Sequence, residues 1–142
     1  MKKLFVYASI IIIVIFVGIQ FVPVNLTNPP VTKEISAPES IMKILKENCY
    51  DCHSNMTKWP WYNKIAPISW LIKKDVTNGR ANMNFTEWEN YETIEQDMKE
   101  MILEAVKENR MPPLTYRLGH PSSRLTADEI KIVEKWAKGE LK

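Results

Sequence analysis

Both cysteines of the 142-residue chain fall in one pentapeptide, Cys49-Tyr50-Asp51-Cys52-His53. Two thiols three positions apart, followed at once by an imidazole, make the c-type haem attachment pattern. At a helix end this spacing lets both thiols add to the two vinyl groups of one macrocycle while the adjacent imidazole lies under the iron. Thioether bonds and the proximal ligand are then supplied together. A buried disulfide or a redox dithiol also uses C-x-x-C, but it expects a βαβ context and has no need of the histidine. Structural zinc needs four ligands, and the only other histidine is His120, with no second C-x-x-C anywhere. The motif therefore predicts covalent haem c, one per chain, with Cys49, Cys52 and His53 as its binding residues.

His53 accounts for one axial nitrogen, and the opposite face of the iron takes Met, His or an open site. Met98 and Met101 sit in a helical stripe and read as core filling. Met56 is three residues from His53 and belongs on the wrong face, and Met83 lies in a loop without supporting context. Met111 differs, because it leaves a helix and enters Pro112-Pro113, where stiff backbone can fix its side chain. Met111 is the expected sixth ligand, with His120 and an open site as the alternatives. Trp59, Trp61, Tyr62 and Trp70 read either as lining for the haem edge or as padding for a small core. Arg110, Arg117 and Arg124 stand in a stretch without acids until Asp128, and one of them is expected to meet the haem propionates. Between Thr86 and Glu108 eight acids face two lysines, a solvated helix face or, more sharply, a docking surface.

The elements that must position these groups follow from the rest of the chain. From Leu4 to Val22 the sequence is apolar without a charge, and as a helix it reaches roughly 28 Å, the thickness of a bilayer's hydrocarbon. No small-residue cleavage site follows, so residues 1–24 read as an uncleaved membrane anchor and not as a signal peptide. Lys2 and Lys3 precede the span and place the remainder on the periplasmic, extracytoplasmic side of the cell membrane. Residues 25–37, which carry Pro29 and Pro30 and run into Pro38, read as a stiff Pro-rich spacer. Residues 38–142 form the haem-binding domain. Its first helix is expected from Pro38 to Asn48, with Ser36 and Glu39 as a capping box and Ile35 as a staple. A second starts near Pro67 and stops at Asn78-Gly79. Thr86 with Glu89, and Thr93 with Gln96, offer two starts for the longest segment, which ends before Pro112. A loop of about a dozen residues leads to Thr126 with Glu129, a further capping box that opens a closing helix. No segment alternates like a strand, so the fold class is all-α. So few residues bury a thin core, and something besides side chains should help to fill it.

Cys49 to Asn55, then Trp59-Pro60-Trp61-Tyr62, Ala66-Pro67-Ile68-Ser69-Trp70 and Asn84-Phe85-Thr86-Glu87-Trp88, resemble the haem-binding domain family of bacterial membrane-attached c-type cytochrome-like proteins. Met111-Pro112-Pro113, His120-Pro121 and Arg124-Leu125-Thr126 resemble that family's C-terminal half, so the likeness covers residues 38 to 140. It implies haem binding in a cytochrome c-like small helical domain behind an N-terminal transmembrane helix. The Met111 turn is also similar to the ligand loop of small cytochromes c, where a methionine precedes the closing helix. With 19 Lys/Arg against 17 Asp/Glu there is no charge excess of the kind that nucleic-acid binding needs. The expected function is a membrane-tethered monohaem cytochrome that carries single electrons. Its partners would be membrane lipid, through the N-terminal helix, and redox proteins. A haem-based sensor with a labile sixth site is the alternative from another class, and a peroxidase-type enzyme would need His120 or Arg117 beside an open iron.

Overall fold

In a computed structural model, which describes residues 1–141, all the regular elements are helical, with no strand among the described residues. The apolar run folds as α1, Lys2–Ile19, which by length and composition can cross a membrane and buries none of its residues against the rest of the chain. The domain then follows as α2 (Glu39–Asn48), α3 (Tyr50–His53), α4 (Ile68–Asn82), α5 (Glu95–Lys107), α6 (Leu114–Gly119) and α7 (Ala127–Ala137). Short 3-10 turns at Trp61–Lys64, Trp88–Ile94 and Pro121–Ser123 link them.

The core follows the apolar stripes of three helices. Ile41, Ile44 and Leu45 of α2, Met98, Ile102 and Val106 of α5, and Val133 and Trp136 of α7 are buried together around Phe85 and Trp88. Their three- and four-residue spacing gives each helix one apolar face. The α7 capping box forms as the sequence predicts: Thr126 Oγ1 accepts from Glu129 N–H, and the Glu129 carboxylate accepts from Thr126 N–H.

Other local expectations are overturned. Ser36 makes no cap, because α2 begins on Pro38 without a side-chain hydrogen bond, while Ile35 goes into the core. The Thr86–Glu89 and Thr93–Gln96 boxes do not form either: Thr86 is fully buried and committed to other partners, Trp88–Ile94 is a 3-10 turn, and α5 starts at Glu95 with no side-chain cap. Gly79 does not stop α4. It lies inside the helix because a Cβ there would come within 2.4 Å of the Cys52 carbonyl oxygen. The glycine serves close packing and not a left-handed turn. The loop after Pro113 is mostly α6 and a 3-10 turn.

The segment before α2 is no free spacer. The N–H groups of Thr32 and Lys33 donate to Thr86 O at 3.1 Å, Ile35 N–H donates to Phe85 O at 2.7 Å, and Trp88 N–H donates to Lys33 O at 2.9 Å. Prolines stop this segment from coiling, but its extended carbonyls and remaining N–H groups still have to be satisfied where they meet the core, and the 85–88 loop satisfies them.

Candidate functional site

The attachment motif is built at a junction. Cys49 closes α2, and Cys52 N–H and His53 N–H both donate to the Cys49 carbonyl, at 3.1 and 2.9 Å, winding the motif into the single turn of α3. That turn packs on α4 through Gly79. Between this pair and α5 lies a cavity of about 530 Å³, within the roughly 300–1,000 Å³ of cofactor sites. Its lining comes from the motif, α4 and the loop after it, through Cys49, Cys52, His53, Gly79, Met83 and Phe85, and from α5 and the segment that follows, through Met101, Ala105, Arg110, Met111, Pro112 and Tyr116. Its surface is largely apolar, as a flat hydrophobic macrocycle requires. This is the space in which a thin core gains its missing filling.

His53 is fixed at both ends. Its ring Nδ1 lies 3.0 Å from the Met83 carbonyl, which can only accept, so Nδ1 carries the proton and Nε2 keeps its lone pair. Its backbone carbonyl accepts from Phe85 N–H at 2.8 Å. Burial holds the imidazole below its ordinary pKa, in the neutral form that a metal ligand needs. Burial also pushes both thiols up to about 12, with the charges of Asp75 and Asp51 adding to the effect at Cys52. The cysteines are unpaired thiols, and a redox dithiol would show the opposite shift. Among the described residues no cluster of three His, Cys, Asp or Glu side chains is set to hold a metal ion. The donor set that does exist, one neutral imidazole beside two protonated thiols in an apolar slot, fits haem.

Residues that sequence reasoning passed over hold this arrangement. Asn84 Nδ2 donates to Asn55 Oδ1 at 2.9 Å, Thr86 Oγ1 donates to Asn84 Oδ1 at 2.7 Å, and Asn55 N–H donates to Thr86 Oγ1 at 2.8 Å, all buried. Asn55 Nδ2 also reaches Pro30 O and Glu87 Oε1, both at 2.8 Å. The network ties the chain just after His53 to the 83–87 loop that grips it. Arg80 adds a second tie, donating to Ser54 O, Thr57 Oγ1 and Thr27 O. Within the motif, Asp51 Oδ2 accepts from Tyr116 Oη at 2.8 Å, and Tyr50 stacks on Phe85 and donates to Glu34. Asn55 and Asn84 sit in N-x-T triplets, and those triplets are core hydrogen-bonding units. The polar spacing was visible; its burial was not.

The remaining candidates sort by place. Met111 lines the cavity and is 40% exposed. Met101, expected as core, lines it too and is 52% exposed. Met98 is buried in the core away from the cavity, and Met83 lines the His53 side. His120 is not part of the cavity wall: it stacks on Tyr116 at 4.1 Å, and its Nδ1 meets the Tyr116 carbonyl. Of the three arginines only Arg110 reaches the cavity, where it pairs with Glu104 and Glu108. Arg117 binds Asn109 and leaves its Nε buried without a partner. Trp59, Trp61, Tyr62 and Trp70 do not line the cavity, and Phe85 and Tyr116 are the aromatics that do.

Neither a curated protein nor a solved structure matches the chain. The family model of the haem-binding domain matches residues 14–139, which takes in the cavity, both parts of its lining and the segment tied to them, and the chain belongs to that haem-binding family.

Proposed function

We propose that the protein is a membrane-tethered monohaem c-type cytochrome that carries single electrons outside the cytoplasm. The observation that carries this reading is His53: neutral, with Nδ1 committed to the Met83 carbonyl, and flanked in the cavity lining by Cys49 and Cys52. Bound haem would supply a one-electron iron couple. The chain's part is to hold and tune it. Cys49 and Cys52 would hold the group through thioethers, each S–H adding across one vinyl double bond so that sulfur bonds one carbon and the hydrogen goes to its neighbour, with no net oxidation. His53 Nε2 would supply the proximal nitrogen, and the bond at Nδ1 fixes the ring and raises its basicity. Met111, a lining residue of the same cavity, would supply the sixth ligand. Arg110, the one of the three arginines that lines the cavity, would meet a propionate by exchanging its pairs with Glu104 and Glu108. Lys2 and Lys3 before α1 favour an extracytoplasmic domain, the side on which thioether haem is assembled.

Absorption spectra of oxidised and reduced protein, with and without carbon monoxide, together with the intact mass, test this reading. A haem mass that survives acid-acetone, low-spin spectra in both states and slow carbon monoxide binding are expected. An apo mass, or haem lost to the solvent, would sink it. A second reading, a sensor whose sixth site opens, draws on the exposure of Met111 at the cavity mouth; fast carbon monoxide binding by the wild-type reduced protein would favour it. The peroxidase reading lacks its distal groups, since His120 and Arg117 stand outside the cavity wall.

A further inference from the structure

Five of the domain's exposed large apolar side chains crowd into eleven residues: Trp61, Ile65, Ile68, Trp70 and Leu71. Trp61 is 83% exposed, and none of the five belongs to the cavity. In their midst sits Ala66. Its N–H donates to Gln20 Oε1 at 2.9 Å and its carbonyl accepts from Gln20 Nε2 at 3.1 Å. Gln20 directly follows the last residue of α1. This reciprocal pair sets the apolar cluster at the level where α1 would leave the hydrocarbon. Indole and aliphatic side chains at that depth have an apolar body in lipid and, for Trp, an N–H among the headgroups.

Charge points the same way. Residues 52–74 contain Lys58, Lys64, Lys73 and Lys74 and not one acid. None of these lysines enters an ion pair among the described residues. Lys73 and Lys74 line a second hollow of about 350 Å³ with Trp70, Thr77 and the chain at Pro23 and Val24, immediately after the helix exit. Two ammonium groups and a hydroxyl beside an indole, at the head of a membrane span, match an anionic phospholipid headgroup.

We infer that residues 61–74 form a face that lies on the bilayer, with Trp61, Ile65, Ile68 and Leu71 entering the interfacial zone and Lys73 and Lys74 holding anionic headgroups. The inference rests on α1 spanning the membrane. It makes the domain a cap seated on the lipid, and the cavity is held at a fixed height above it.

The test uses the full-length haem-loaded chain in nanodiscs of phosphatidylcholine, with and without phosphatidylglycerol, each doped with a photoactivatable phospholipid. Adducts are mapped by mass spectrometry. Residues 61–71 should be labelled as heavily as the end of α1 and several-fold above Ile94, an equally exposed apolar residue on a turn without a link to α1. Lys73→Gln should reduce the phosphatidylglycerol-dependent part of that labelling about fivefold, the loss of one headgroup attraction. Trp61→Glu, at a side chain too exposed to affect folding, should lower labelling across 61–71 while the haem spectrum stays unchanged. Labelling of α1 with none at 61–71 above the Ile94 level would overturn the seated face and leave the anchor intact. Absence of labelling from α1 as well would remove the anchor and the seated face together.

Discussion

Met111 and Met101 line the same cavity as His53, and single substitutions separate their roles. Met111→Ala should open the sixth site. The oxidised iron is expected to become high-spin or water-ligated, the reduced form to bind carbon monoxide, and the potential to fall, because thioether ligation favours the ferrous state. Met101→Ala should leave the spectrum unchanged; if the spectra exchange these behaviours, Met101 is the ligand. Gly79 makes a different demand. Its missing side chain is what allows the α4 backbone to rest on the Cys52 carbonyl. Gly79→Ala should cost about 1–3 kcal/mol through overpacking. It should also reduce the fraction of chains that carry haem, measured as the ratio of Soret to protein absorbance, since the motif has to shift away from α4. Retention of both melting temperature and haem content in that variant would show that the contact relaxes freely.

The elements were legible where one periodic face decided the outcome. The stripes of α2, α5 and α7 and the Thr126–Glu129 box are properties of short sequence windows, and they appear where those windows put them. Ser36, Thr86 and Gly79 carry local signals just as plain, and tertiary demands override each of them. Thr86 could cap a helix, but its hydroxyl is worth more as the buried link between Asn84 and Asn55. Such networks join residues about thirty positions apart and leave no periodic trace for a sequence reading to detect. For the same reason Cys49, Cys52 and His53 were readable as a group, while the Met83 carbonyl that sets the histidine's tautomer was not. Thr86→Val should therefore destabilise the fold by about 1–3 kcal/mol, because it leaves the buried Asn55 N–H without its acceptor, while Asn84 Oδ1 keeps only the Thr86 N–H. It should also broaden the spectroscopic signature of His53, whereas Thr126→Ala at the exposed cap should cost about 1 kcal/mol with no spectral change. Thermal melts paired with electron paramagnetic resonance distinguish the two.

At the scale of the whole molecule the helices fall into two groups around the cavity, α3 with α4 on one side and α5 with α7 on the other, joined through α2 and the 83–88 loop. Haem-free protein is expected to melt well below the loaded form and to expose apolar surface to a hydrophobic dye, since nothing then fills that space. The second group has an acid-sensitive clasp. Lys107 and Lys138 both bond the Glu134 carboxylate, and these hydrogen bonds hold it down to about 2 from its ordinary 4.5. A depressed pKa in the folded state means the contribution is complete above pH 4.5 and is lost as the pH falls toward 2. Glu134→Gln should flatten the fall in melting temperature over that window, and salt should flatten the wild-type curve in the same way because the site is exposed. The stitching of residues 27–35 has a mechanical consequence. Tension applied through α1 reaches Ala66 by way of Gln20, then Arg80 and the Asn55–Thr86 links, and only afterwards α5 and α7. The cavity thus lies in series with α1, and a pull on that helix would strain the grip on His53 before it disturbed the closing helix.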